Sequence, residues 1–93
     1  MAAKLHDMGP SSNGGTNYVF HCPGCNYGHC VDVPRWTYNG SLERPTFSPS
    51  LLVNSFDPSL RCHSFVNDGR IQFLADCWHS LKGQTVDLPD WDD

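Results

Sequence analysis

The chain has 93 residues and a net charge of −4, from ten acidic and six basic side chains. This length predicts one small domain, and such domains often need a metal ion or disulfides because their core is modest. The acidic balance disfavours direct nucleic-acid binding, which requires a basic surface. No apolar run approaches the roughly 20 residues of a membrane span, and no secretory signal core is visible.

The N-terminal segment differs in composition from the rest of the chain. Residues 1–17 are rich in Gly, Ser and Asn and lack an apolar period, so we expect a flexible arm. Such an arm either stays disordered or becomes ordered along a partner protein. Residues 18–93 are expected to form a single metal-stabilised, β-rich domain.

The predicted elements of that domain are mainly strands. Short β-prone runs bounded by turn residues predict a mainly β fold of antiparallel hairpins, with a small α+β fold as the alternative. Asp76 as N-cap and Gly83 just past the end predict one short helix near residues 76–82. The predicted strands cover residues 18–21, 31–38, 51–56, 61–66, 70–74 and 85–89.

The hairpin around Asn67-Asp68-Gly69 has two possible registers. A three-residue loop with a bulge places Val66 opposite Arg70 and turns His63 inward. A two-residue turn instead gathers Cys62, Val66, Ile71, Phe73 and Cys77 on one face. The first register collects the bulkier apolar set, so we expect His63 to face inward.

Cysteine and histidine spacing predicts a metal site. Cys22 and Cys25 flank a Pro-Gly turn that points both sulfurs at one spot, as a tetrahedral zinc ion requires. We expect His63 and Cys77 to complete the site, with Cys62 and His79 as substitutes. Asp76 is expected to orient a ligand histidine from behind. Sulfur ligands favour zinc, and an iron–sulfur cluster is the alternative.

Catalysis is not expected from this pattern. Neither a His-Glu-x-x-His nor a His-x-Glu motif occurs, and Glu43 is the one glutamate, so the metalloprotease and deaminase signatures are missing. The five cysteines are an odd number for disulfides, which favours a reducing cytoplasm. Trp91, among acidic residues near the end, either closes the core or forms a docking tail.

A series of motifs covers most of residues 20–89. They are FHCPGC at 20–25 with His29, WTYNG at 36–40, RPTFSPS at 44–50, CHSFV at 62–66, DGRIQFL at 68–74, Asp76-Cys77 with His79, and GQTVDLP at 83–89. As a set they resemble the motifs of a family of small phage and prophage proteins. Members are often labelled ammonia monooxygenase, a label that does not fit a chain without a membrane span. The resemblance implies a phage origin and a compact zinc-ribbon-like fold.

On this basis we expect a non-enzymatic, zinc-stabilised module for protein–protein interaction, located in the host cytoplasm or the virion. Its partner would be a protein, and homo-oligomers are possible. A small virion component, such as a capsid decoration or tail accessory subunit, is the first interpretation. An intracellular effector that inhibits a host protein is the second, and a small metal-dependent enzyme is the third.

Overall fold

Alternating buried and exposed residues along short β-prone segments produce the architecture. The computed structural model describes residues 3–12 and 14–91, and these form two antiparallel sheets and no helix. The three-stranded sheet has the order β1-β2-β3, with β1 (His6–Pro10), β2 (Thr16–Cys22) and β3 (Tyr27–Val33). The five-stranded sheet has the order β4-β5-β6-β7-β8, with β4 (Thr37–Tyr38), β5 (Phe47–Val53), β6 (Cys62–Asn67), β7 (Arg70–Phe73) and β8 (Thr85–Asp87).

Both sheets contribute to one buried core. Phe20 and Val31 come from the first sheet, while Phe47, Ile71 and Phe73 come from the second. All five side chains are almost fully excluded from solvent. The mainly β prediction is therefore confirmed. In the part of the chain that the structure describes, no helix is long and apolar enough to cross a membrane.

The predicted N-terminal arm contains a strand of the fold. Strand β1 pairs with β2 through a register that runs from His6↔Val19 to Pro10↔Thr16, and Leu5 is buried in the core. Composition misled the prediction because edge pairing satisfies backbone groups whatever the side chains are. Trp91 stacks on His6 with ring centroids 5.6 Å apart. Residues 1, 2, 13, 92 and 93, which include part of the predicted arm and of the acidic end, lie outside the described residues.

The helix expected at residues 76–82 is not formed, because its backbone groups have other partners. This segment is a series of turns and bends. The Trp78 amide donates to the Arg61 carbonyl at 2.9 Å rather than to a carbonyl one helical turn earlier. The segment is thereby held against the residue that precedes β6.

The hairpin between β6 and β7 adopts the two-residue register, so the inward His63 is wrong. Val66 faces Ile71 and Asn67 faces Arg70. Asp68 and Gly69 both have positive φ, 53° and 78°, as a type I′ turn requires, and this turn matches the twist of the flanking strands. Cys62, Ser64 and Val66 consequently face the core, whereas His63, Phe65 and Asn67 face outward.

Leu5 tests whether the N-terminal segment is integral to the fold. Because this side chain is 3% exposed, Leu5→Ala should lower the free energy of unfolding by about 2–5 kcal/mol. Met8→Ala is the matched control, since Met8 is 55% exposed, and should change stability by no more than about 0.5 kcal/mol. Urea unfolding followed by circular dichroism measures both, and equal effects would contradict the burial of Leu5.

Candidate metal centre and candidate active site

Four buried residues, three from the β2–β3 hairpin and one from the start of β6, converge on one point. Cys22 ends β2, Cys25 follows the Pro-Gly turn, His29 lies in β3 and Cys62 begins β6. Their ligand atoms all lie within 4.8 Å of one another, so this cluster could hold a metal ion. The cluster therefore joins the first sheet to the second.

The turn between β2 and β3 allows other side chains to approach its backbone and sulfur atoms closely. The Cys25 amide donates to Cys22 Sγ at 3.3 Å, and the Trp78 indole donates to Cys25 Sγ at 3.4 Å. A Cβ added at Gly24 would overlap the imidazole of His79. Only glycine therefore lets His79 pack on this turn.

An unpartnered nitrogen shows that the cluster fits a metal. His29 Nε2 is buried and has no hydrogen-bond partner among the described residues, which is costly unless a ligand satisfies it. The sulfurs of Cys22 and Cys62 are 4.0 Å apart, close to the roughly 3.8 Å that tetrahedral zinc–sulfur bonds of about 2.3 Å imply. The donor set of thiols and imidazole suits a soft or borderline ion.

The cysteines of the cluster differ in the direction in which their pKa values are shifted. A hydrogen bond from Cys62 is the main cause that lowers the pKa of Cys22 to about 3. The same interaction, aided by burial, raises the pKa of Cys62, and burial raises the pKa of Cys25. The lowered pKa favours the thiolate of Cys22, which is the form that binds metals.

A second group of potential ligands shares Cys62 with the first. Cys62, Cys77 and His79 also lie within 4.8 Å of one another, and Cys62 Sγ is 3.5 Å from His79 Nε2. Burial lowers the pKa of His79, which favours the neutral ring that metals require.

The predicted metal ligands and their substitutes do not all lie at one site in the structure. Cys22 and Cys25 lie together, and the substitute Cys62 joins them; Cys77 and the substitute His79 form the adjoining group. His63 points away from both groups. The identity of the ligands stays a prediction. His29 was not among the predicted ligands, although its position four residues after Cys25 was a usable signal.

Outside the Cys/His cluster, three side chains form a hydrogen-bonded chain. Ser50 Oγ lies 3.0 Å from His63 Nε2, and His63 Nδ1 lies 3.3 Å from Asp76 Oδ2. The side chains of His63 and Asp76 are 26% and 42% exposed, and Ser50 is partly exposed. This is the connectivity of a serine hydrolase triad, in which one imidazole nitrogen faces the hydroxyl and the other faces a carboxylate.

A bulge in β5 positions the serine. Phe47 pairs with Val66 and Leu51 pairs with Ser64, so residues 48–50 lie opposite Phe65 alone. Such bulges can re-aim a side chain next to an active site. Leu51 is buried, and the neighbouring Ser50 therefore faces outward, on the same side as His63.

The metal cluster and the triad share two pairs of neighbouring residues. Cys62 precedes His63, and Asp76 precedes Cys77. Cys77 Sγ lies 3.2 Å from the His63 amide, which donates to it, and 3.1 Å from the His63 carbonyl, which accepts from the thiol. The backbone of the triad histidine is thus held by a residue of the Cys/His cluster. Asp76 contacts His63, which belongs to neither group of potential metal ligands, so the expectation that Asp76 orients a ligand histidine stays a prediction.

A family model described as "Bacterial ubiquitination-like system serine protease (BubE)" matches residues 3–74. The chain belongs to the BubE family. The matched range contains Ser50 and His63 and ends two residues before Asp76. Neither a curated protein nor a solved structure matches the chain.

Membership of this family corrects the functional expectation. A family described as a serine protease of a bacterial ubiquitination-like system overturns the expectation of a non-enzymatic phage protein, and with it the virion and effector interpretations. The non-enzymatic expectation rests on the motifs of metal and cysteine enzymes, which carry no signal of a serine nucleophile. Ser50, His63 and Asp76 are separated by 13 residues at each step, so no local motif marks them.

If the Cys/His cluster binds a metal, substitutions of Cys62 and Cys30 should differ in their effects on metal content and unfolding temperature. Cys62→Ser should abolish near-stoichiometric metal and lower the unfolding temperature, because it removes a thiol from the buried cluster. Cys30→Ser should leave both unchanged, since Cys30 is exposed and outside the cluster. Elemental analysis and thermal unfolding of protein purified in reducing buffer measure the effects. A metal-free wild-type protein of unchanged stability would contradict the assignment.

Proposed function

We propose that this chain is a serine protease whose nucleophile is Ser50. His63 acts as general base and Asp76 holds its imidazole in position. The observation that carries the proposal is the continuous hydrogen-bond chain from Ser50 Oγ through His63 to Asp76. The description of the family supports the same chemistry.

In the proposed mechanism each proton has a path. With Nδ1–H directed at the Asp76 carboxylate, His63 Nε2 is free to accept the Ser50 proton as Oγ attacks the substrate carbonyl carbon. His63 then gives that proton to the leaving amine when the carbon–nitrogen bond breaks, and an acyl group remains on Ser50. A water molecule deprotonated by His63 attacks this ester, and collapse returns the proton to Ser50 Oγ.

The proposed substrate is a protein. The family description connects the activity with a bacterial ubiquitination-like system, and a protein component of such a system is the substrate class that we propose. We propose the cytoplasm as the compartment, because none of the five cysteines is in a disulfide and a reducing compartment keeps cysteines in this state.

We further propose that the metal is zinc and that its role is structural. Cys22, Cys25, His29 and Cys62 would supply four ligands, with His79 as an alternative nitrogen ligand, and a zinc-ribbon-like turn would result at residues 22–25. Four protein ligands leave no open position for a substrate. The ion would stabilise the start of β6 and thereby the backbone of His63.

A fluorophosphonate probe tests the nucleophile. Ser50 Oγ should form a bond to phosphorus and expel fluoride, so intact-mass and peptide analysis should place one adduct on Ser50. Ser50→Ala should abolish labelling. Ser55→Ala, in an exposed turn of the β5–β6 connection, is the matched control and should label at the wild-type rate. Labelling that persists in Ser50→Ala would refute the assignment.

Asp76 provides a separate test of the triad. Asp76→Asn keeps the shape of the side chain but can stabilise the wrong imidazole tautomer, so the labelling rate should fall by about 10³–10⁴-fold. Asp57→Asn is the control, because Asp57 contacts Ser59 on the β5–β6 connection instead. Pseudo-first-order labelling kinetics give the rates, and folding is checked by circular dichroism. A loss below about tenfold would exclude a triad role for Asp76.

A further inference from the structure

An exposed aromatic ring lies beside the triad on the outer face of the five-stranded sheet. Phe65 is 42% exposed and follows His63 by two residues in β6, so both side chains leave the same face of the strand. It is also the residue opposite the β5 bulge that carries Ser50. Phe65 is therefore adjacent to the reacting groups rather than part of the core.

A groove of about 690 Å³ extends from this ring across the sheet. Phe65, Gln72 and Thr85 are directly paired across β6, β7 and β8, so their side chains form one transverse row in the groove lining. Amide and hydroxyl groups in this row can hydrogen-bond the backbone of an extended chain, whereas the phenyl ring offers apolar contact. The groove thus combines an apolar anchor with polar groups, as binding sites commonly do.

The charges in the groove do not favour a charged side chain next to the ring. Arg70, which lines the groove, is already paired with Asp87 at 3.2 Å between Nε and Oδ1. Asp68 also lines the groove but lies in the β6–β7 turn, beyond Asn67, whereas Thr46, Ser48 and Asn67 are uncharged. Apolar contact with Phe65 is the specific interaction that remains close to Ser50.

We propose that Phe65 determines specificity by binding an apolar side chain on the acyl side of the scissile bond, within an extended segment of the protein substrate that occupies this groove. This inference rests on the proposed serine protease function. Because the ring contacts substrate and does not move protons, it should affect which substrate reacts without altering the reactivity of Ser50.

Peptidyl diphenyl phosphonates test the proposal, since Ser50 Oγ displaces phenol from phosphorus while the α-substituent mimics the substrate side chain. Wild-type protein should react about 10–100-fold faster with benzyl or isobutyl analogues than with the methyl analogue, the range expected for an apolar pocket. Phe65→Ala should reduce this preference to less than about threefold. Phe65→Leu should retain a preference for the isobutyl analogue over the methyl analogue but lose the wild-type rate advantage with the benzyl analogue, because the contact between aromatic rings is removed.

Two controls separate this inference from the proposed function. Phe56→Ala removes a ring that is 85% exposed and outside the groove lining, and should keep the wild-type preference. A fluorophosphonate without a side chain should label wild-type, Phe65→Ala and Phe65→Leu proteins at similar rates. If Phe65→Ala fails to fold, Phe65→Leu decides.

Unchanged selectivity in the Phe65 variants, or a wild-type preference for the methyl analogue or for an aminoalkyl analogue, would overturn the role of Phe65 while the triad stands. No adduct on Ser50 with any phosphonate or fluorophosphonate would overturn both.

Discussion

The alternation of side chains along β6 is the constraint on which the rest of the structure depends. Cys62 faces the core and contributes to the Cys/His cluster, whereas His63 faces outward and contacts Ser50 and Asp76. Because adjacent residues of a strand point to opposite faces, the two sites lie back to back. Whatever fixes Cys62 also limits the motion of the neighbouring imidazole.

A chain of this size has little apolar core with which to hold a catalytic geometry. The Cys/His cluster joins the two sheets, since Cys22 and His29 come from one and Cys62 from the other. Metal binding in small domains is worth about 10–16 kcal/mol, comparable with the net stability of a whole domain. An ion at this position would therefore stabilise the scaffold behind the triad.

Sequence patterns predicted local features better than long-range ones. The Cys22–Cys25 turn and the strands of the β6–β7 hairpin follow from local residue preferences, and the structure contains them. The register of that hairpin depends on whether Asn67 joins the turn, and the larger size of the apolar set on one face favours the wrong answer. The sequence does not reveal the triad because Ser50 and His63 meet through the pairing of β5 with β6 and Asp76 reaches His63 from the turn after β7, and because the prediction assigns His63 to the metal. Strand β1 was missed because edge pairing leaves almost no trace in composition.

At the β5 bulge, the direction in which Ser50, the proposed nucleophile, faces depends on its spacing from Leu51 along the strand. Three residues lie opposite Phe65 between the Phe47 and Leu51 pairings, and a shift of one residue exchanges the two faces of a strand. Because the orientation of Ser50 follows from its position directly before the buried Leu51, an insertion between these two residues would turn the serine toward the hydrophobic interior even if every side chain were retained. The spacing between Ser50 and Leu51 is thus more tightly constrained than the chemical nature of residues 48 and 49.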